Sequence, residues 1–283
     1  MNLIPDSKVT SVDAKCGFHI FGKDPAFIQG KTKRQRPDPV PNITLLAVPD
    51  SILTHHKDII LCVDIFHLNG LRFFHTISKN LQLRTVEYIK SATYKSMLDS
   101  IYTVINLYQS RDFDFVEIRG DYQFKFLEES LRPIHLYTTS GGEHVPEVER
   151  SIQTLEGDAR TVYHSLPYKH YPRELTKSLV EYVNHNRNIF TTIDGISSTM
   201  SPNSIITGLP NPPESYFSLE FGTFAHAHDH PDITNTVEIP RTTPSLALLP
   251  ANRNGGWYFF KFIYWGTNCS LQMGCVTYIS SCC

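Results

Sequence analysis

The chain has 283 residues, with 26 Lys and Arg against 28 Asp and Glu and a formal net charge of -2, which excludes a protein drawn to nucleic acid by overall charge and leaves such binding to local patches. Hydrophobic residues make up 41%, enough to bury a core in one domain of about 150 residues with a smaller partner. No apolar run approaches the roughly 20 residues of a membrane span, and the start Met1-Asn2-Leu3-Ile4-Pro5 lacks a basic region followed by an apolar stretch, so no membrane partner is expected.

Residues 1–45 show little periodicity and carry the basic cluster Lys31-Thr32-Lys33-Arg34-Gln35-Arg36 followed by Pro37, Pro39 and Pro41, which reads as an arm or linker. Cys16 and His19 lie in it, but a structural zinc site needs four ligands and no partners are near in sequence. The six cysteines, Cys16, Cys62, Cys269, Cys275, Cys282 and Cys283, form no CxxC pair and no disulfide scaffold, so a reducing, intracellular setting is expected.

From Ile59 the pattern becomes that of strands. Ile59 to Phe66 reads as a buried strand, Asn69-Gly70 as a turn, and Leu71 to Ile77 and Leu83 to Ile89 as two more strands of an antiparallel meander. Residues 93–109 put Met97, Ile101, Val104 and Tyr108 at helical spacing, and Phe113 to Ile118 reads as a further strand. Phe124, Leu127 and Leu131 mark a short helix, Ile134 to Tyr137 a strand, and Gly141-Gly142 a loop. Val148, Ile152, Leu155, Ala159 and Val162 then form an apolar helical stripe, and a further helix is expected from about Pro172 to Asn188.

Three acids stand out in this order: Asp64 within the first strand, Asp121 just after the fourth, and Glu149 at the edge of the later helical stripe. Two carboxylates from different strands and one from a helix suit a pair of hard divalent cations, held about 4 Å apart, that clamp the attacking and leaving oxygens of a phosphodiester exchange. Each acid alone has an ordinary role, since an Asp after a strand often caps a helix and a Glu on a helix edge is usually solvated.

The order βββαβαβα with acids at these places is the arrangement of a ribonuclease H-like mixed α/β sheet. The strings VDIFHLNGLRFFHTIS, GDYQF, EHVPEVERSI, DGISSTMSPNSIITGLPNP and LEFGTF together resemble the integrase core of copia-type retrotransposon polyproteins. The resemblance implies a catalytic core over 46–190, a linker over 191–214 and a small β domain over 215–262. It implies that Asp64, Asp121 and Glu149 are catalytic and bind two Mg²⁺ or Mn²⁺ ions, that the partner is DNA, and that an active form is a homo-oligomer, nuclear if functional. Lys31, Lys33, Arg34, Arg36, His144 and Arg150 are the candidate phosphate contacts.

The chain departs from that pattern in three places. Where related sequences look like SIRTIKER, Gln153, Glu156 and Asp158 stand at positions expected to be basic, so repulsion of DNA is expected there, and Gly157 costs about 1 kcal/mol within a helix. Tyr122 and Gln123 follow Asp121 where Asn and Glu are expected, which removes polar support for a metal. Residues 263–283 match nothing expected and suggest a fragment of a longer polyprotein ending past a frameshift. The alternative to an active integrase is therefore a decayed or co-opted, inactive nucleic-acid-binding remnant. His226, His228 and His230 alternate along a possible strand, as metal ligands or as part of a polar loop.

Overall fold

The computed structural model describes residues 8–31, 44–140, 145–192, 195–212, 214–228, 238, 240–251, 256–265 and 268–276, without the side chains of 214, 215, 228 and 262–276. The chain divides into two units, Met1–Val40 with Ser215–Cys283, and Pro41–Glu214. The first unit opens with α1 (Ser11–Phe21) and α2 (Pro25–Lys31). Sequence periodicity gives no sign of them because neither helix buries a residue. What starts α1 is a capping box, in which the Thr10 and Asp13 side chains each accept from the other's backbone N–H.

The second unit runs α3 (Asp50–His56), β1 (Asp58–Leu68), β2 (Leu71–Ser78), β3 (Arg84–Tyr88), α4 (Tyr94–Gln109), β4 (Asp114–Gly120), a 3-10 turn (Tyr122–Leu127), α5 (Glu128–Leu131), β5 (His135–Thr138), α6 (Pro146–Ser165), α7 (Arg173–Ile189) and α8 (Pro202–Thr207). Its sheet has the order β3-β2-β1-β4-β5. β2 lies antiparallel to β1 and to β3, while β4 is parallel to β1 and to β5. This is the ribonuclease H-like arrangement that the sequence predicts. Asn69 and Gly70 both take positive φ, 49° and 71°, the backbone that a two-residue hairpin turn between twisted strands requires.

β1 is central and buried on both faces. Leu61 and Val63 join Met97, Ile101, Ile105 and Tyr108 of α4 in one core. Cys62 and Phe66, on the other face, pack with Val148 and Ile152 of α6 and Val180 of α7. Strand alternation thus assigns even-numbered residues from Cys62 to Leu68, Asp64 among them, to the α6 face. Burying Val148, Ile152 and Leu155 contributes about 1.5–3 kcal/mol each to holding α6 on the sheet.

In the first unit, β6 (Phe224–His228), β7 (Thr242–Pro250), β8 (Trp257–Trp265) and β9 (Asn268–Val276) form an antiparallel sheet in that order. Ala225, Ala227, Ala247, Trp257 and Phe259 form its core, and the Arg241 N–H donates to the Gln29 carbonyl of α2 at 3.0 Å. β9 lies within 263–283, where the sequence suggests nothing structural. Among the described residues no helix is long and apolar enough to cross a membrane.

Candidate active site

In the parallel pairing of β1 with β4, Val63 stands opposite Gly120. The next residues are Asp64, within β1, and Asp121, directly after the end of β4, so the two aspartates follow a paired position of strands about 5 Å apart. Gly120 permits this approach. A Cβ there would lie 2.9 Å from Val63 Cγ2 and 2.8 Å from Phe124 Cδ2, distances that side-chain carbons do not tolerate.

Asp121 occupies the N-cap position of the 3-10 turn with extended backbone, φ -66° and ψ 164°, yet its side chain makes no capping hydrogen bond. The ordinary role of an Asp after a strand is therefore not the one it plays here. Asp64 is half-buried, and its Oδ1 accepts from the Ile65 N–H at 2.7 Å and from Gln123 Nε2 at 3.3 Å. The expectation that Gln123 removes polar support is thus corrected: the 3-10 turn brings its amide back to the neighbouring strand's carboxylate.

Glu149 lies in the first turn of α6, behind Pro146 at the first helical position, where a carboxylate interacts favourably with the helix dipole. The azimuth of α6 is set by contacts on one edge. Ser151 Oγ lies 2.8 Å from His75 Nε2 and accepts from Arg84 Nε at 3.2 Å. His75 Nδ1 lies 2.8 Å from the Thr85 carbonyl, so Nδ1 carries the proton and Nε2 accepts from Ser151. Further along, Asp158 receives two hydrogen bonds from Arg187 of α7, at 2.5 and 2.8 Å. At 100° per residue, Glu149 falls on the opposite edge of the apolar stripe, away from β3 and toward the β1–β4 side.

Asp158 is therefore not a DNA-repelling residue of an outward face, as its sequence position suggests, but a pin between α6 and α7. Glu156 pairs with Arg160 at 3.0 Å, and Gln153 is exposed. Ser151 and Arg187, which sequence reasoning does not single out, thus fix the helix that carries Glu149. Their only sequence signal is a polar residue inside an apolar stripe and a basic one on the next helix.

The donor chemistry of Asp64 and Asp121, two carboxylates at neighbouring positions of β1 and the end of β4, fits a hard divalent cation. Among the described residues, however, no group of three His, Cys, Asp or Glu side chains converges closely enough to hold a metal ion.

The candidate phosphate contacts are spread out. Arg150 is exposed on α6, and Lys31, at the end of α2, lies 5.3 Å from the Phe27 ring centre. Lys33, Arg34, Arg36 and His144 lie outside the described residues. Cys16 is exposed on α1. His226 is buried on β6, edge-on to Phe224 at 5.5 Å and 3.4 Å from Thr242 Oγ1, and burial lowers its pKa; the side chain of His228 and the whole of His230 lie outside the described residues.

No protein-family model matches this sequence, and no curated protein matches it. Solved structures that it resembles include the catalytic core domain of BIV integrase, with a TM-score of 0.37 and 14% identity over 52% of this chain and 93% of that one. Another is a chain of the simian T-cell lymphotropic virus intasome in complex with PP2A regulatory subunit B56 gamma, with a TM-score of 0.39 and 14% identity over 96% and 90% of the two chains.

Proposed function

We propose that the Pro41–Glu214 unit is an integrase-type polynucleotidyl transferase core of retrotransposon descent, acting on DNA ends. The observation that carries this reading is the Asp64–Asp121 pair: two carboxylates on adjacent parallel strands of a ribonuclease H-like sheet, the second in a capping position without capping anything.

Asp64 and Asp121 would hold a divalent cation, with Glu149 as the candidate third ligand. Bound Mg²⁺ or Mn²⁺ supplies the positive charge that stabilises a phosphodiester exchange between an activated water, or a 3′ hydroxyl, and the scissile phosphate. The chain's own contribution is orientation. Gln123 fixes Asp64 Oδ1, Gly120 lets the end of β4 approach β1, and the Ser151–His75–Arg84 contacts hold α6 against rotation. No covalent enzyme intermediate is needed.

A second reading, a remnant that keeps the fold without strand transfer, is favoured by one observation: among the described residues no three His, Cys, Asp or Glu side chains form a group that could hold a metal ion. The two separate on Mg²⁺- or Mn²⁺-dependent resolution of a branched DNA substrate by the purified chain. Activity that disappears in Asp64→Asn supports the transferase. Inactivity of a folded wild-type chain supports the remnant.

A further inference from the structure

A cavity of about 420 Å³ opens between the end of β1, the C-terminal half of α6 and the start of α7. Leu68 and Asn69 mark its floor, and its walls carry Arg160, Lys169, His170 and Arg173 beside Tyr163 and Tyr171, with no acidic residue in the lining. The two tyrosine rings lie 5.3 Å apart at 50° to each other.

The walls are braced before any ligand arrives. Tyr163 donates its hydroxyl to the Lys169 carbonyl, folding the α6–α7 connector back onto α6, and Arg173 donates to the Gly70 carbonyl at the β1–β2 turn. Asn69 Nδ2 donates to Thr176 Oγ1 at 3.3 Å, and Thr176 Oγ1 reaches the Tyr171 hydroxyl at 3.5 Å. Burial, and then the neighbouring Tyr163, push the Tyr171 phenol above its ordinary pKa, so it stays neutral and adds no negative charge. Arg160 shares its charge with Glu156 at 3.0 Å, which leaves the cavity cationic overall.

Position gives this chemistry a context. Leu68 has the parity of Asp64 and so lies on the same sheet face, four residues on, about 13 Å away. That distance corresponds to roughly four nucleotides at about 3.4 Å per charge along one strand. Cations flanking a pair of aromatic rings suit a phosphate with an adjoining base, the combination used to hold single strands without reading their sequence.

We infer that this cavity binds a nucleotide unit of the nucleic-acid strand whose reacting phosphate lies at Asp64 and Asp121. The inference rests on the reading of those aspartates given above. It relocates the grip on DNA from the α6 positions of Gln153 and Glu156 to the α6–α7 connector.

The test uses the full chain and fluorescence anisotropy with a labelled 20-nucleotide DNA strand at several salt concentrations. The double variant Arg160→Ala/Lys169→Ala, shown to be folded by thermal unfolding, is expected to bind about tenfold more weakly, with a salt slope smaller by about 1.4. Lys169→Arg, which keeps the charge, is expected to bind as the wild type does. Unchanged affinity and slope in the folded double variant would overturn the inference. So would tight binding of free deoxyadenosine monophosphate with strand binding unaffected, which makes the cavity a mononucleotide site, or equal competition by poly-glutamate, which makes it a site for acidic protein. The underlying reading fails separately, if Asp64→Asn leaves DNA joining intact while the double variant still loses affinity.

Discussion

Gln123 donates its side-chain amide to Asp64 Oδ1 at 3.3 Å, tying the turn that follows Asp121 to the carboxylate on the next strand. An exposed hydrogen bond of this length contributes about 1 kcal/mol or less to stability, so its consequence is orientation. In Gln123→Ala, metal-dependent DNA joining is expected to fall about tenfold while the thermal midpoint stays within a degree or two; equal activity would show that Asp64 needs no such support.

Gly120 is required by close approach, since its backbone φ is not in the left-handed region. Gly120→Ala puts a methyl against Val63 and against Phe124, which is fully buried and packs edge-on to Phe74. A loss of about 1–3 kcal/mol is expected from such overpacking, read as a lower urea midpoint with an unchanged slope.

His75 is fully buried, and burial, reinforced by Arg84, lowers its pKa from 6.5 to about 3. Its folded pKa is below its unfolded one, so the stability it contributes is present above pH 6.5 and is lost as pH falls toward 3. Below pH 6.5 the unfolded chain binds a proton that the folded chain refuses, a cost approaching 1.4 kcal/mol per pH unit. Urea midpoints measured from pH 7 to pH 5 are expected to decline, and the decline is expected to flatten in His75→Gln.

The Asp158–Arg187 contact has side chains 32% and 45% exposed, so solvent screening limits its worth to about 1 kcal/mol despite its paired hydrogen bonds. Asp158→Arg sets two cations against each other and is expected to destabilise the chain without strengthening DNA binding. A gain in DNA affinity would mean that this edge of α6 faces the nucleic acid after all.

Gly157 lies inside α6 with open space where a Cβ would go. Gly157→Ala is expected to stabilise the chain by about 1 kcal/mol through helix propensity, raising the thermal midpoint by a few degrees. The glycine that looks like decay in the sequence is thus neutral to packing.

Much of the core was legible because its signals are local. The apolar run Ile59–Phe66, the Asn69-Gly70 turn and the stripe Val148–Ala159 each dictate an element without reference to the rest of the chain, and Asp64 and Asp121 are placed by the strand that contains the first and the strand that ends just before the second. The partnerships were not legible. Whether Asp158 meets DNA or Arg187, and whether Gln123 supports Asp64, depends on the packing of α6 against α7 and on the path of the 3-10 turn, which periodicity does not encode. The α1 capping box is a local signal, but without an apolar stripe behind it the segment reads as an arm. β9 was hidden by its cysteine-containing sequence, Asn268–Val276, which shows little of the β-branched and aromatic enrichment seen in β2 or β8.

The central claim is that Asp64 and Asp121 form one cation site. A Mn²⁺ titration followed by electron paramagnetic resonance on the wild-type chain, Asp64→Asn and Asp121→Asn tests it most directly. Mn²⁺ binding that is lost in both folded variants is the result expected; binding that survives both substitutions, or is absent from the wild type, would contradict it.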